Sequence, residues 1–177
     1  MLDIAPLKFP ESEVLQSLSR MSIAGIAAFK GRRAALEAAL GLTLPHTPRR
    51  VAHGTTNYLW NGHDAWLAMS ETPALLENLT TVAAKFAAIT DQSDGFVAFR
   101  VSGFHRRAIL KKLVPIDLHQ DVFAPDAVAL TLAGQLPVKL WMQDDGSFAL
   151  AGLRSFSRAL HHALEEAARE FVHPGHD

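Results

Sequence analysis

The stretch Ala88-Ile89-Thr90-Asp91-Gln92-Ser93-Asp94-Gly95-Phe96-Val97-Ala98-Phe99-Arg100-Val101-Ser102-Gly103 decides how the rest of the chain is read. Ala88-Ile89-Thr90 ends one apolar run as a strand, and Phe96 to Ser102 alternates as the next. Between them Gln92-Ser93-Asp94-Gly95 is pure turn chemistry, because short polar side chains bond to nearby backbone and glycine accepts a positive φ. The pattern then predicts a helix over Phe104 to Leu113 capped by Ser102, followed by the acidic loop Leu113-Val114-Pro115-Ile116-Asp117-Leu118-His119. Two folding halves meet at this turn.

Working back toward the N-terminus, Ser22 to Phe29 reads as a strand and Gly31 to Leu40 as a short helix, with Leu36 and Leu40 on one face and Gly41 at its C-terminal stop. Tyr58-Leu59-Trp60 and Ala65-Trp66-Leu67-Ala68-Met69 flank Asn61-Gly62, a dipeptide suited to a tight hairpin turn. Thr72 as N-cap and Pro73 at the first position open a helix with Leu75, Leu79, Val82 and Phe86 at helical spacing. The order is β-α-β-β-α-β, the split pattern of ferredoxin-like domains. Toward the C-terminus the arrangement begins again. Val128 to Leu132 and Val138 to Met142 flank Gly134-Gln135, and Asp145-Gly146 turns into Ser147 to Ala151. Ser155 is placed to cap a last helix reaching Phe171, with Phe156, Leu160, Leu164, Ala167 and Phe171 on one stripe and His161, His162, Glu166 and Arg169 on the other face. The expected fold class is α+β: one compact domain over 1–172 made of two related ferredoxin-like βαββ(αβ) halves, about 20–91 and 95–172, with a flexible tail at 173–177.

Composition limits what such a fold does. A chain of 177 residues with 49% hydrophobic residues is long enough to bury its own core. Lys+Arg 17 against Asp+Glu 18 leaves a formal charge of -1, so no bulk field draws it to nucleic acid or anionic lipid. Cys 0 removes disulfides, thiolate metal sites and a cysteine nucleophile together. Asp3, Pro6, Lys8 and Pro10 interrupt the N-terminus, unlike a signal peptide, and no apolar run is long enough for a membrane span. A cytoplasmic protein is the expectation.

Familiar enzyme signatures are missing: no G-x-S-x-G elbow, no phosphate-binding or dinucleotide glycine loop, no H-E-x-x-H. His161 and His162 with Glu165 and Glu166 one turn on could converge on a metal ion, but adjacent histidines point about 100° apart and each pair also reads as ordinary helix-surface chemistry. The tail His173-Pro174-Gly175-His176-Asp177 is read as frayed, with metal binding the alternative. Arg106, Arg107, Lys111 and Lys112, with the pairs Arg32-Arg33 and Arg49-Arg50, either solvate their helices or dock an acidic partner or anionic ligand. Trp60, Trp66 and Trp141 are core residues if they face inward and interface anchors if they face outward.

The opening stretch resembles the gamma subunit of heterotetrameric sarcosine oxidase, a family with a similar T-D-x-S-D-G, a strand ending R-x-S-G, and P-[LI]-D-L-H after the helix. Leu59-Trp60-Asn61-Gly62-His63-Asp64-Ala65-Trp66-Leu67 is similar to the family's L-W-L-G-P-D-E-W-L hairpin, and Arg154-Ser155-Phe156 to its closing R-S-F. The likeness covers roughly residues 20 to 172; His63 replaces the hairpin proline, and Leu113-Val114 stand where many relatives have Gly-Cys. It implies a complex that demethylates sarcosine oxidatively to glycine, with hydrogen peroxide and with formaldehyde or 5,10-methylenetetrahydrofolate. In it alpha, beta and delta subunits hold FAD, FMN, NAD, the tetrahydrofolate site and zinc. The gamma chain itself is expected to be non-catalytic, to hold no cofactor and to pack on alpha, and alone it could self-associate. An equivalent subunit of another secondary-amine demethylase is an alternative within the same resemblance. The stretch is also similar, more distantly, to the folate-binding aminomethyltransferase of the glycine cleavage system, in which the aspartate matching Asp117 assists methylene transfer. That leaves two readings of Asp117, a turn residue or the working carboxylate of a free-standing folate-binding protein.

Overall fold

The computed structural model describes residues 8, 10–18 and 21–171, so the expectations for the first residues and for the tail at 173–177 lie outside the described residues. The elements in chain order are β1 (Leu15–Ser17), β2 (Ser22–Ala28), α1 (Arg33–Leu40), β3 (Arg50–His53), β4 (Thr56–Gly62), β5 (Ala65–Ser70), α2 (Leu75–Ala83) and β6 (Ala87–Asp91). The chain continues through β7 (Phe96–Val101), α3 (Arg106–Lys111), β8 (Val128–Ala133), β9 (Leu136–Met142), β10 (Phe148–Leu153) and α4 (Ser157–Ala168), with single 3₁₀ turns at Arg154–Phe156 and Arg169–Phe171.

Contacts divide the chain into two compact units, one of residues 21–96 with Asp126–Ala129, the other of 10–18, 97–125 and 130–171. The first holds the sheet β3-β4-β5-β2-β6, and its ladders are antiparallel: Ile26 faces Trp66 on one side and Ile89 on the other. Its core is Ile26, Leu36, Leu44, Trp66, Leu75 and Leu79, packed where α1 and α2 cover one face. Ile23, Leu59, Leu67 and Met69, from the same strands, are buried as well. The Asp126–Ala129 strap is tied to β3, with Arg50 N–H donating to the Asp126 carbonyl at 2.6 Å and Val128 N–H to the Pro48 carbonyl at 3.0 Å.

The second unit holds the sheet β1-β7-β10-β9-β8. Phe99, Phe148 and Leu150 on its strands and Leu160 and Leu164 on α4 are all fully buried. Gly152 is the closest approach: a Cβ there would come 2.9 Å from Leu160 Cδ2. Compared strand by strand, the two sheets have one topology, β7, α3, β8, β9, β10 and α4 corresponding to β2, α1, β3, β4, β5 and α2. The last position, filled by β6 in the first sheet, is filled in the second by β1 from the other end of the chain, Leu15 pairing antiparallel with Val101.

Several expectations are corrected. The first hairpin does not turn at Asn61-Gly62. β4 runs through both, a bulge between Trp60 and Gly62 absorbs one residue, and the turn falls on His63-Asp64, with Gly62 opposite Ala65. Cross-strand pairing of Trp60 with Trp66 sets that register, and Asp64 takes the positive φ of 51°, which a short polar side chain tolerates. The proposed side-chain caps are not used. α2 starts at Leu75 with no side-chain cap, Thr72 Oγ1 bonding Thr55 Oγ1 at 3.0 Å instead. α3 starts at Arg106, while Ser102 Oγ donates to the Glu13 carbonyl at 2.8 Å. Ser155 lies inside a 3₁₀ turn before α4, and Phe156 and Val82, assigned to buried stripes, are exposed. β1 and β3 were not anticipated.

Candidate functional site

The residues that carry the sequence resemblance are mostly engaged with their own backbone. In the turn after β6, Ser93 N–H and Ser93 Oγ both donate to Asp91 Oδ1, at 2.9 and 2.7 Å, and Ser93 Oγ accepts the Ile23 N–H at 3.0 Å. The turn before β10 repeats this chemistry: Ser147 N–H and Oγ donate to Asp145 Oδ1 at 3.0 and 2.6 Å. Arg100 joins them, its Nε donating to Ser147 Oγ at 3.0 Å and its Nη2 pairing with Asp145. Both D-x-S turns use a carboxylate to hold a serine two residues on, a local bond that competes well against other backbone arrangements.

Asp117 has the same kind of partner. It is exposed, and its Oδ1 accepts the His119 N–H at 2.8 Å. The loop is pinned from below, since Val114 and Leu118 are buried and the Leu118 carbonyl accepts Arg107 Nε at 2.8 Å, the Arg107 guanidinium lying 5.4 Å from the Phe148 ring. The grooves lined by described residues include one of about 390 Å³ beside α4, lined by Pro10, Leu15, His162 and Glu165 among others, and one of about 210 Å³ lined by Leu40, Tyr58, Leu75 and Val82. Asp117 lines neither.

The histidine pair of α4 splits by burial. His161, expected on the solvent face, is only 5% exposed, with Nε2 at 3.1 Å from the Pro10 carbonyl, Nδ1 at 3.3 Å from Glu165 and its ring tilted against Phe99. His162 is exposed. The segment before β1 covers that side of the helix, a long-range contact with no local signature. Among the described residues no three His, Asp or Glu side chains are grouped to hold a metal ion.

Several of the basic side chains are engaged within the fold or paired at its surface. Arg33 reaches the Leu44 carbonyl, Glu37 and the face of Trp66, Arg49 pairs with Asp126 at 2.5 Å, and Arg50 donates to Asn57 at 2.6 Å. Trp66 is buried with its indole N–H on the Pro45 carbonyl at 2.7 Å, Trp141 is buried with its N–H unpartnered among the described residues, and Trp60 is half-buried. Among the described residues, burial pushes the Tyr58 phenol above its ordinary value and the Lys139 ammonium below its own. Large apolar side chains do reach solvent elsewhere, with Phe104 90% exposed and Val122 63%. No helix among the described residues is long and apolar enough to cross a membrane.

Fold and surface define an α+β protein of two five-stranded antiparallel units, its motif residues spent on turns and its exposed apolar side chains outside the core. Known proteins narrow the class. No family model matches the sequence. The sarcosine oxidase subunit gamma of Corynebacterium sp. strain U-96 is 32% identical over 142 residues, 78% of this chain and 69% of that protein. The subunit gamma of an Arthrobacter species is 29% identical over 167 residues, 91% of this chain and 82% of that one. A chain in the structure of heterotetrameric sarcosine oxidase from Corynebacterium sp. U-96, in complex with pyrrole 2-carboxylate, superposes with a TM-score of 0.80 at 29% identity, covering 92% of this chain and 87% of its own. The chain belongs to the family of sarcosine oxidase gamma subunits.

Proposed function

We propose that this chain serves as the gamma subunit of a heterotetrameric sarcosine oxidase, packing on the alpha subunit and stabilising it without taking part in bond making. The observation that carries the reading is the match to a chain of that heterotetramer over 92% of this sequence at a TM-score of 0.80. The complex would demethylate sarcosine oxidatively to glycine in the cytoplasm, with alpha, beta and delta holding FAD, FMN, NAD, tetrahydrofolate and zinc. The engagement of Asp91, Asp117 and Asp145 with their own turns supports a scaffold role for those carboxylates. A free-standing folate-binding role for Asp117 finds less support, because that side chain is exposed on a loop and its Oδ1 is engaged by the His119 N–H.

We also read the halves as ferredoxin-like. In the first unit β4-β5-β2-β6 have the strand order of a split βαβ fold, extended by β3, and the second unit matches it once β1 takes the last place. A tagged copy of this chain, co-expressed with the alpha, beta and delta subunits, should retain the yellow flavin-bearing subunits through size exclusion. Recovery of the tagged chain alone, with a flavoprotein complex eluting separately, would refute the subunit reading.

A further inference from the structure

The edges of the two sheets are not defended alike. β3, β6, β1 and β8 stand at the ends of their sheets. β3 carries Arg50 and His53, β6 ends on Asp91, and β1 has three residues, each a feature that discourages another strand from adding on. β8 has none of these. Its sequence Val128-Ala129-Leu130-Thr131-Leu132-Ala133 holds no charge, proline or glycine, and Leu130 and Leu132 are 48% and 43% exposed. Its outer row of backbone groups is open as well. Ala133 and Leu136 flank the two-residue turn Gly134-Gln135, where Gly134 has the positive φ of 61° that such a turn takes. Ala133, Thr131 and Ala129 therefore bond inward to β9, and Leu132, Leu130 and Val128 face out. Val128 donates its N–H to the Pro48 carbonyl at 3.0 Å, while Leu130 and Leu132 have no backbone partner on that side among the described residues.

The sequence of this edge says what fits it. Ala129-Leu130-Thr131-Leu132-Ala133 reads the same in both directions. Laid antiparallel against itself about Thr131, it sets Leu130 opposite Leu132 and Ala129 opposite Ala133. The residues with outward N–H and C=O groups, Leu130 and Leu132, then become the hydrogen-bonded pairs. Thr131 meets its own copy in the closer, non-hydrogen-bonded position, a favourable cross-strand pair, and the leucines of both copies gather on one face. A two-fold contact needs such self-complementarity, whereas pairing with a strand of different sequence gains nothing from it. We propose that in the free chain β8 pairs with β8 of a second copy, joining their two sheets into one. The inference concerns the chain before assembly and does not rest on the gamma-subunit reading.

Sedimentation of the full chain over a range of concentrations should show a reversible monomer–dimer equilibrium, with thermal transitions checking that each variant folds. Leu130→Lys puts a charge on the edge, and Thr131→Lys sets two like charges face to face across the axis. Each should weaken the dimer about ten-fold or more, the second partly recovering in high salt. A thiol tests the register. The chain has no cysteine, so Thr131→Cys introduces a single one, about 4.5 Å Cα to Cα from its counterpart in this pairing. Diamide, which takes up the two thiol hydrogens, should join two such chains by a disulfide. Ala129→Cys, on the same face but opposite Ala133 of the copy, should stay unjoined. A wild type that remains monomeric up to about 1 mM overturns the inference, as does a dimer untouched by both lysine variants or one joined equally through either thiol. Loss of alpha retention by co-expressed Leu130→Lys, with the free wild type monomeric, would give the edge to another subunit and overturn it too.

Discussion

Tyr58 is the only tyrosine in the chain, so phenolate absorbance reports one group. Burial disfavours its anion and raises its pKa from 10.0. A raised folded-state pKa means that the stability contributed is complete below the unfolded value and is lost as pH rises through the folded one. An absorbance titration should therefore give a midpoint above 10.0, approached together with unfolding; a midpoint at or below 10.0 in the folded chain would contradict the burial. Lys139 runs the other way. Its lowered pKa means the unfolded chain binds more protons between the folded value and 10.5, so the cost of burying the ammonium is full below that window and fades as pH rises. Any stability advantage of Lys139→Met over wild type in urea should shrink toward pH 10.5, and an advantage that does not change with pH would rule this out. Asp117→Ala removes the acceptor of the His119 N–H and should cost about 1 kcal/mol, within the range for a lost local hydrogen bond, while the assembled complex keeps its sarcosine-dependent peroxide formation. Loss of that activity at unchanged stability would restore a chemical role to this carboxylate.

At the scale of elements, what was legible in the sequence is what local chemistry decides. β2, the strands about Gly134 and Asp145-Gly146, and the αL stop at Gly41 follow from alternation and turn residues, and all are present. What failed was decided by distant partners. Ser102 looks like a cap until the Glu13 carbonyl is brought to it, and His161 looks solvent-facing until residues near Pro10 cover it. β1 has three residues, too few for a periodicity, and β3 exists through its register with β4. The turn of the first hairpin moved because the Trp60–Trp66 pair, not the Asn61-Gly62 dipeptide, sets the register. The site was less legible than the fold. The short motifs identify the family, yet Asp91 and Asp117 in them accept bonds within their own turns, and nothing in spacing marks Phe104 as exposed. Packing of α4 on β10 makes its own prediction. Gly152→Ala would bring a methyl to 2.9 Å from Leu160 Cδ2, whose side chain is 1% exposed, and should cost about 1–3 kcal/mol as overpacking. Leu160→Ala in the same chain should remove the clash, so a double-mutant cycle should show favourable coupling; strict additivity would mean the helix does not sit on that glycine.

Over the whole molecule, the equivalence of the two sheets makes the N-terminal strand a structural requirement rather than an ornament. β1 completes the second sheet at the place β6 takes in the first, pairing Leu15, Gln16 and Ser17 with Val101, Arg100 and Phe99. Deleting residues 1–18 should bare the edge of β7 and remove the Pro10–His161 and Glu13–Ser102 bonds. Faster amide exchange in β7 and β10 than in β2 and β5 is expected, and uniform protection across both sheets would show that β1 adds nothing. The chain is proposed to work by being part of a larger assembly. The most direct measurement is sarcosine-dependent hydrogen peroxide formation by alpha, beta and delta subunits co-expressed with and without this chain, alongside the stability of each preparation. Omission should reduce assembly or peroxide formation, and adding the purified chain, inert toward sarcosine alone, should restore it; a three-subunit complex as stable and as active as the full one would contradict the central claim.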